Sequence, residues 1–304
     1  MKKIVQITLL VVAACALQAQ TPFDAVMMKQ RESCLAVVYD RGSFDHYYEG
    51  TYLRTNGTIA TVTRQMFLPM IAIGTHDKVN LIVALPYIKN ESSEPNGGYF
   101  EAQKGFQDIN LVLKGEIISK QIGKGKLAAL AVAGYSTPVT NYLSDYRPYS
   151  IGFGANEFSL RGIVQYKLDM GVYVRGACAH LWRGQTKVER DYYYNNGSYY
   201  TPWMDVPSAW NYHAVAGFKT LKNALVLEAS YVGLTSTSGD DIRPYNAAQP
   251  TNKVDAGQAG FQTQYYIPQV KGVSVLAYYY QVISGRNLGK IGGFGVGATY
   301  AFKI

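Results

Sequence analysis

The sequence predicts an all-β protein, a transmembrane antiparallel β-barrel of about 12 strands with both termini periplasmic. Three observations carry that reading. Alternating apolar and polar positions recur along nearly the whole chain after its first 20 residues, and period 2 marks strands with one greasy and one wet face. The connectors alternate between tight and long, as in outer-membrane barrels with short periplasmic turns and longer extracellular loops. The charged fraction is 16%, against about 25% for an ordinary soluble domain, which fits a surface facing lipid.

Residues 1–19 read as a signal peptide. Lys2 and Lys3 give the positive start, Ile4 to Ala16 the apolar run, and Leu17-Gln18-Ala19 a small-residue cleavage site before Gln20. The run is too short for a membrane-spanning helix, which needs about 20 residues. Val12-Ala13-Ala14-Cys15 also has the form of a lipoprotein site with Cys15 lipidated; the intact mass of the mature protein separates the two readings. Residues 20–31 are expected as a periplasmic N-terminal segment, with an inner plug left open as an alternative. Residues 32–304 make the barrel.

The strand candidates are 32–41, 58–74, 79–90, 107–120, 127–140, 153–168, 172–188, 206–221, 224–238, 253–267, 273–285 and 291–304. Val79, Leu81, Val83, Leu85 and Tyr87 form one apolar file, with Asn80 on the other face. Phe158, Leu160, Gly162, Val164, Tyr166 and Leu168 form another, opposed by Glu157, Ser159, Arg161, Gln165 and Lys167. Three places are irregular. Residues 127–133 (LAALAVA) are apolar on both faces, Tyr278, Tyr279 and Tyr280 fall on both sides of their strand, and Pro69 predicts a bulge or break.

Tight connectors fall at 75–78, 122–126, 169–171, 222–223 and 269–272, with the Gly, Asn, Asp and Lys that hairpins demand. Long connectors are expected at 42–57, 91–106, 141–152, 189–205 and 239–252. The last strand sets Val296, Ala298, Tyr300, Phe302 and Ile304 in one apolar file. It resembles the C-terminal strand signal read by barrel-assembly machinery, with Ile304 in place of a final aromatic. That machinery and outer-membrane lipid are the expected partners.

Two stretches resemble a known family. Gly74-Thr75-His76-Asp77-Lys78-Val79-Asn80-Leu81, running on to Leu85-Pro86-Tyr87, is similar to its Gly-x-x-Asp-Lys/Arg turn, alternating strand and Pro-Tyr ending. Gly105-Phe106-Gln107-Asp108, followed by Ile109 to Lys114, is similar to its second Gly-x-x-Asp opening. The family is the outer-membrane barrel family of the MetA pathway of phenol degradation. The resemblance implies passage of small aromatic or hydrophobic compounds. The residues themselves have a structural reading: Asp77 and Asp108 accept backbone N–H groups, Gly74 and Gly105 supply positive φ, and Pro86 ends pairing where a strand leaves the membrane.

The chemistry points to a conduit. Arg64, Lys114, Glu116, Glu157, Arg161, Lys167, Arg175, Arg183, Lys219 and Glu228 lie on wet faces and are the candidate lumen lining. Cations outnumber anions among them, which raises the local anion concentration in a narrow pore. The expected function is a passive channel for small, hydrophobic or aromatic molecules. The alternative is a closed barrel acting as a structural or surface-interaction module through its Tyr-rich loops. Tyr192, Tyr193, Tyr194, Tyr199, Tyr200 and Trp203 are the candidate loop-binding residues, able to stack on a sugar or aromatic solute or to bury a partner.

Other classes find no support. The net charge of +8, lowered by two when Lys2 and Lys3 are removed, is dispersed, so nucleic acid is not an expected partner. Cys34 and Cys178 lie far apart and make no disulfide framework or metal spacing. Asp240 and Asp241 are adjacent acids without a further ligand pattern. The four histidines, His46, His76, His180 and His213, pair with no nucleophile motif. No enzyme, cofactor or metal is expected.

Overall fold

The computed structural model describes residues 20–97, 99–243 and 248–304. The signal-peptide and Cys15 expectations lie outside the described residues. Twelve antiparallel strands close on themselves. They are β1 (Glu32–Phe44), β2 (Val62–His76), β3 (Val79–Ala84, resuming at Tyr87–Asn96) and β4 (Phe100–Phe106, resuming at Asp108–Ile122). Then come β5 (Gly125–Pro138), β6 (Glu157–Leu168), β7 (Val172–Arg183), β8 (Ala209–Thr220), β9 (Leu225–Ser236), β10 (Asp255–Tyr266), β11 (Val273–Arg286) and β12 (Gly292–Lys303). Each strand pairs with its sequence neighbours, and β12 returns to β1 in a register from Glu32 opposite Lys303 to Ser43 opposite Gly292. Closure satisfies the backbone of every wall strand and leaves no edge, the condition for crossing a bilayer with strands. No helix among the described residues is long and apolar enough to span a membrane.

The alternation fixes two surfaces. Leu35, Phe67, Leu113, Leu160, Val174, Phe261 and Val296 are exposed on the outer wall, where lipid replaces water as the favourable contact. Cys34, Ala36, Val38 and Asp40 on β1 face inward and are buried. Cys178 is exposed on the outer face, so the two thiols of the barrel lie on opposite sides of the wall. Aromatic rings gather on the outer face of β6–β8: Phe158 stacks on Trp182 at 5.5 Å, and His180 lies 4.4 Å from Trp182 and 4.7 Å from Trp210. Such rings suit the interface between hydrocarbon and water.

The first strand begins and the last strand ends at the end of the barrel that carries the tight turns, because Glu32 pairs with Lys303 and Ile304 N–H donates to Arg31 O at 2.9 Å. The wall agrees with the expected strands in number and order. One connector differs. Residues 91–106, expected as a long loop, instead continue β3 and β4, with Glu91 opposite Ala102 and, after a register shift, Asn96 opposite Phe100. Their side chains are mostly polar because this hairpin stands clear of the apolar band, and alternation there carries no contrast.

Pro69 makes no bulge, for it keeps register opposite Val37 of β1. The irregularity falls on its other side. β3 breaks at Leu85-Pro86 and β4 at Gln107. Ala84 faces Asn110 and Tyr87 faces Phe106, so three steps along β3 match four along β4. Pro69 and Pro86 remove two ladder donors in this region. The remaining groups are bridged by Leu85 N–H to Pro69 O and Gln107 N–H to Pro86 O.

The described start of the connector that follows β9 is tied down by charge at Asp241. Asp241 accepts two bonds from Arg286, each 2.6 Å, and one from Asn287 at 2.9 Å. The Arg286 hydrogen bonds, offset in part by burial, hold its carboxyl at about 2. A depressed carboxylate stabilises the folded state above its unfolded pKa near 3.8, and that stability is lost as pH falls toward 2. Pepsin cleavage around Asp241, measured relative to an unfolded control peptide at each pH, is therefore expected to rise between pH 4 and pH 2, and in Asp241→Asn to show no such rise.

Candidate functional site

Residues 20–31 fold into the lumen from the tight-turn end. Asp24 organises the segment, accepting Thr21 Oγ1–H at 2.8 Å and Val26 N–H at 2.8 Å in a compact Asx-type turn. Its other bond crosses to the wall, where Lys114 Nζ donates to Asp24 Oδ1 at 2.7 Å and to Thr21 O at 2.9 Å. Lys114 is wholly buried, so the pair is a buried charge matched by its counter-charge. Met28 packs with Cys34, Ala72, Ile82, Val112, Ala128, Leu130 and Val132. This explains LAALAVA: the inward file of β5 touches protein rather than water.

The two family-like motifs hold the inserts. Asn80 Nδ2 donates to Met28 O at 3.1 Å, and Asp77 Oδ1 accepts Gln30 N–H at 3.0 Å. Gly74 has no positive φ, contrary to the expectation for it. A Cβ there would lie 2.0 Å from Lys29 O, so glycine admits the crossing backbone. Gly105 likewise lacks positive φ, and a Cβ added there would lie 3.5 Å from Ile151 Cδ1. Asp108 accepts the Tyr142 hydroxyl at 2.7 Å rather than a backbone N–H. Local spacing suggested turn roles for these residues, but their partners are remote in sequence.

Tyr142 and Ile151 belong to the connector 139–156, which packs back onto the barrel at its long-loop end. Tyr149 is fully buried, paired with Ser92 Oγ at 2.7 Å, while Asn90 Nδ2 reaches Tyr149 O and Ser150 O. Phe153 lies against two guanidinium groups, Arg147 at 4.4 Å and Arg183 at 4.6 Å. Burial and the neighbouring Arg183 charge bring Arg147 down to about 10, which leaves it cationic at neutral pH.

Between the two inserts lies a chamber of about 500 Å³. Pro22 and Phe23 of the N-terminal segment line it on one side. Met66, Leu68, Met70, Ala84, Val112 and Val132 supply an apolar wall, and Ser159, Arg161, Asn211 and His213 a polar one. A smaller cavity of about 190 Å³, lined by Gln107, Asp108, Phe153 and Arg183, shares Asn110, Ser136 and Glu157 with the chamber. The smaller cavity lies on the side of the connector 139–156, which contributes Phe153 and Ala155 to its lining.

The wet-face residues sort by partner. Lys114 meets Asp24, Arg183 Nε meets Glu157 at 2.7 Å, and Arg175 meets Glu228 through bonds of 3.0 and 3.2 Å. Arg64 lies within electrostatic reach of Asp40, which accepts the Tyr278 and Tyr280 hydroxyls at 2.9 and 3.1 Å. Those tyrosines face inward while Tyr279 is exposed outside, which accounts for the triple-Tyr irregularity. Glu116, Lys167 and Lys219 continue the inward files nearer the tight-turn end. Arg161 donates to the neutral Asn211 at 2.9 Å and sits 4.4 Å over the Phe23 ring.

The tyrosine-rich connector forms two small hairpins, Gln185–Lys187 with Trp203–Asp205 and Tyr193–Tyr194 with Ser198–Tyr199. Tyr193 stacks on Tyr199 at 5.1 Å and Tyr192 lies 5.2 Å from Tyr200. Tyr194 offers its carbonyl to Gln249, and Lys187 lies over Trp203 at 6.0 Å. Much of this aromatic surface packs on itself. Asp240 accepts Asn252 Nδ2 at 2.9 Å and Asp241 is taken by Arg286. No group of three or more His, Cys, Asp or Glu among the described residues could hold a metal ion.

No family model matches the chain, and no curated protein matches it in sequence. Solved structures do match in fold. The COG4313 outer membrane channel from Pseudomonas putida F1 aligns with a TM-score of 0.73 at 10% identity, covering 93% of this chain and 100% of that one. The translocator domain of the autotransporter NalP from Neisseria meningitidis aligns at 0.48 and 15% identity, covering 90% of each chain. The CymD monoaromatic hydrocarbon channel aligns at 0.41 and 8% identity, covering 91% of this chain and 89% of that one. The first likeness shows the fold of an outer-membrane barrel.

Proposed function

We propose that the protein is a passive outer-membrane channel for small, largely apolar molecules. The observation that carries this reading is the chamber of about 500 Å³ inside a closed barrel. Its size lies within the roughly 300–1,000 Å³ of small-molecule sites. A lumen built only to be filled would bring Met66, Leu68 and Ala84 into contact with facing side chains, since packed interiors leave few voids larger than water. Here they line free space. Apolar walls next to a few fixed polar groups suit a solute with an apolar body, and a barrel conducting salt alone has no use for them.

In this reading solute enters between the long connectors, passes Phe153 and Arg183, and pauses above Phe23. Passage onward requires the N-terminal segment to shift. The tight turns and both termini then face the periplasm, and the final strand serves as the assembly signal. The resemblance of the Gly74–Tyr87 and Gly105–Lys114 stretches to the MetA-pathway barrels supports the same substrate class.

The test fills the chamber. Ala84→Trp places an indole in the free space without touching an ion pair. Cells carrying the wild-type protein in their outer membrane are expected to take up a radiolabelled aromatic hydrocarbon several-fold faster than cells carrying Ala84→Trp at equal folded amounts. Equal uptake by the two would overturn the reading.

A further inference from the structure

We propose that the chamber selects apolar molecules bearing a single carboxylate, and that Arg161 receives the carboxylate. The proposal rests on the channel reading and adds a substrate class to it. Three other cations of the inner wall are bonded to carboxylates of the chain: Lys114 to Asp24, Arg175 to Glu228 and Arg183 to Glu157. Arg161 is not. Among the described residues no Asp or Glu oxygen lies within 4.0 Å of its nitrogens, and its polar partner is the amide oxygen of Asn211.

The guanidinium is also aimed. Asn211 Nδ2 donates to Gly233 O at 3.0 Å, which fixes the amide with its oxygen toward Arg161 Nη1. The Phe23 ring supports the guanidinium at 4.4 Å. One nitrogen is thus engaged and the plane is held, leaving N–H groups of a planar fork at the surface of the chamber. A carboxylate matches that fork with two parallel bonds. Glu157 lines the same space, but its Oε2 already accepts Arg183 Nε at 2.7 Å.

The apolar lining, with Val132 beside Arg161 on the neighbouring strand, completes the specificity. Met66, Leu68 and Val132 line the same chamber and offer an apolar body a surface stripped of water. A neutral apolar solute would use that wall and leave the guanidinium facing water. A small inorganic anion would use the guanidinium and leave the wall wet. An aromatic or medium-chain monocarboxylate uses both.

The experiment compares 4-phenylbutyrate with 4-phenylbutanol by calorimetric titration of the full mature protein in nanodiscs, against empty nanodiscs. The acid is expected to bind at least tenfold more tightly than the alcohol, equivalent to about 1.4 kcal/mol. Arg161→Gln is expected to abolish the preference while keeping alcohol binding, and Arg161→Lys to retain part of it. Equal affinities in the wild type, or an acid preference that survives Arg161→Gln, would overturn the assignment and leave the apolar channel standing. Binding of neither compound would overturn both. Alcohol binding by Arg161→Gln doubles as the check that the variant has folded.

Discussion

Deletion of residues 20–28 is expected to raise the single-channel conductance of the barrel several-fold, because the segment occupies the lumen that ions must cross. The wall should survive the deletion. Its strands pair only with one another, and Lys114, buried by the segment in the intact protein, gains water once the segment is gone. Lys114→Met is the sharper version. It leaves Asp24 without its cation while the segment is docked. Removing one member of a buried pair costs about 3–5 kcal/mol. A loss of about 3 kcal/mol shifts the docked-to-free ratio by roughly a hundredfold. Planar-bilayer recordings should then show brief wild-type openings becoming long ones. A conductance unchanged by both variants would mean that ions bypass the segment.

The second large effect concerns the wall's own charges. Glu228 accepts Tyr173 O–H at 2.6 Å as well as both Arg175 bonds. Tyr173 lies so close to Gly217 that a Cβ there would come within 2.2 Å of the ring. Glu228→Leu is therefore expected to destabilise the barrel by about 3–5 kcal/mol, since it leaves Arg175 charged, buried and unpaired. Arg175→Met combined with Glu228→Leu should recover most of that loss, because an apolar pair of similar volume carries no desolvation cost. Urea unfolding in lipid vesicles reads both. A double variant as unstable as the single one would show that the Tyr173 bond, rather than the ion pair, carries the stability.

The wall was legible in the sequence because alternation is a local property. Each outward side chain meets lipid whatever the distant chain does, so the file Val79 to Tyr87 needs no tertiary knowledge. Legibility ended where that contrast ended. The hairpin through Asn96 and Phe100 rises beyond the apolar band and reads as a loop. The inward positions of β5 are apolar because they meet Met28, a residue about 100 positions away. Gly74, Asp77, Asp108 and Lys114 stood out as motif residues, yet their partners lie in segments 20–31 and 139–156, which no local spacing connects to them. The one signal within reach was the doubly apolar run 127–133: a barrel strand greasy on both faces must have protein inside it.

The tryptophans at the long-loop end have a practical consequence. The chain contains three, Trp182, Trp203 and Trp210, all beside that rim and all substantially exposed. Intrinsic fluorescence therefore watches a single edge of the molecule. Emission will shift as that edge enters the bilayer, and brominated lipids will quench Trp182 and Trp210 on the outer wall. The same light carries no report from the interior. An indole introduced at Phe23, in Phe23→Trp with the three native tryptophans replaced by phenylalanine, would turn the optical signal inward and allow the movement of the N-terminal segment to be timed separately from insertion.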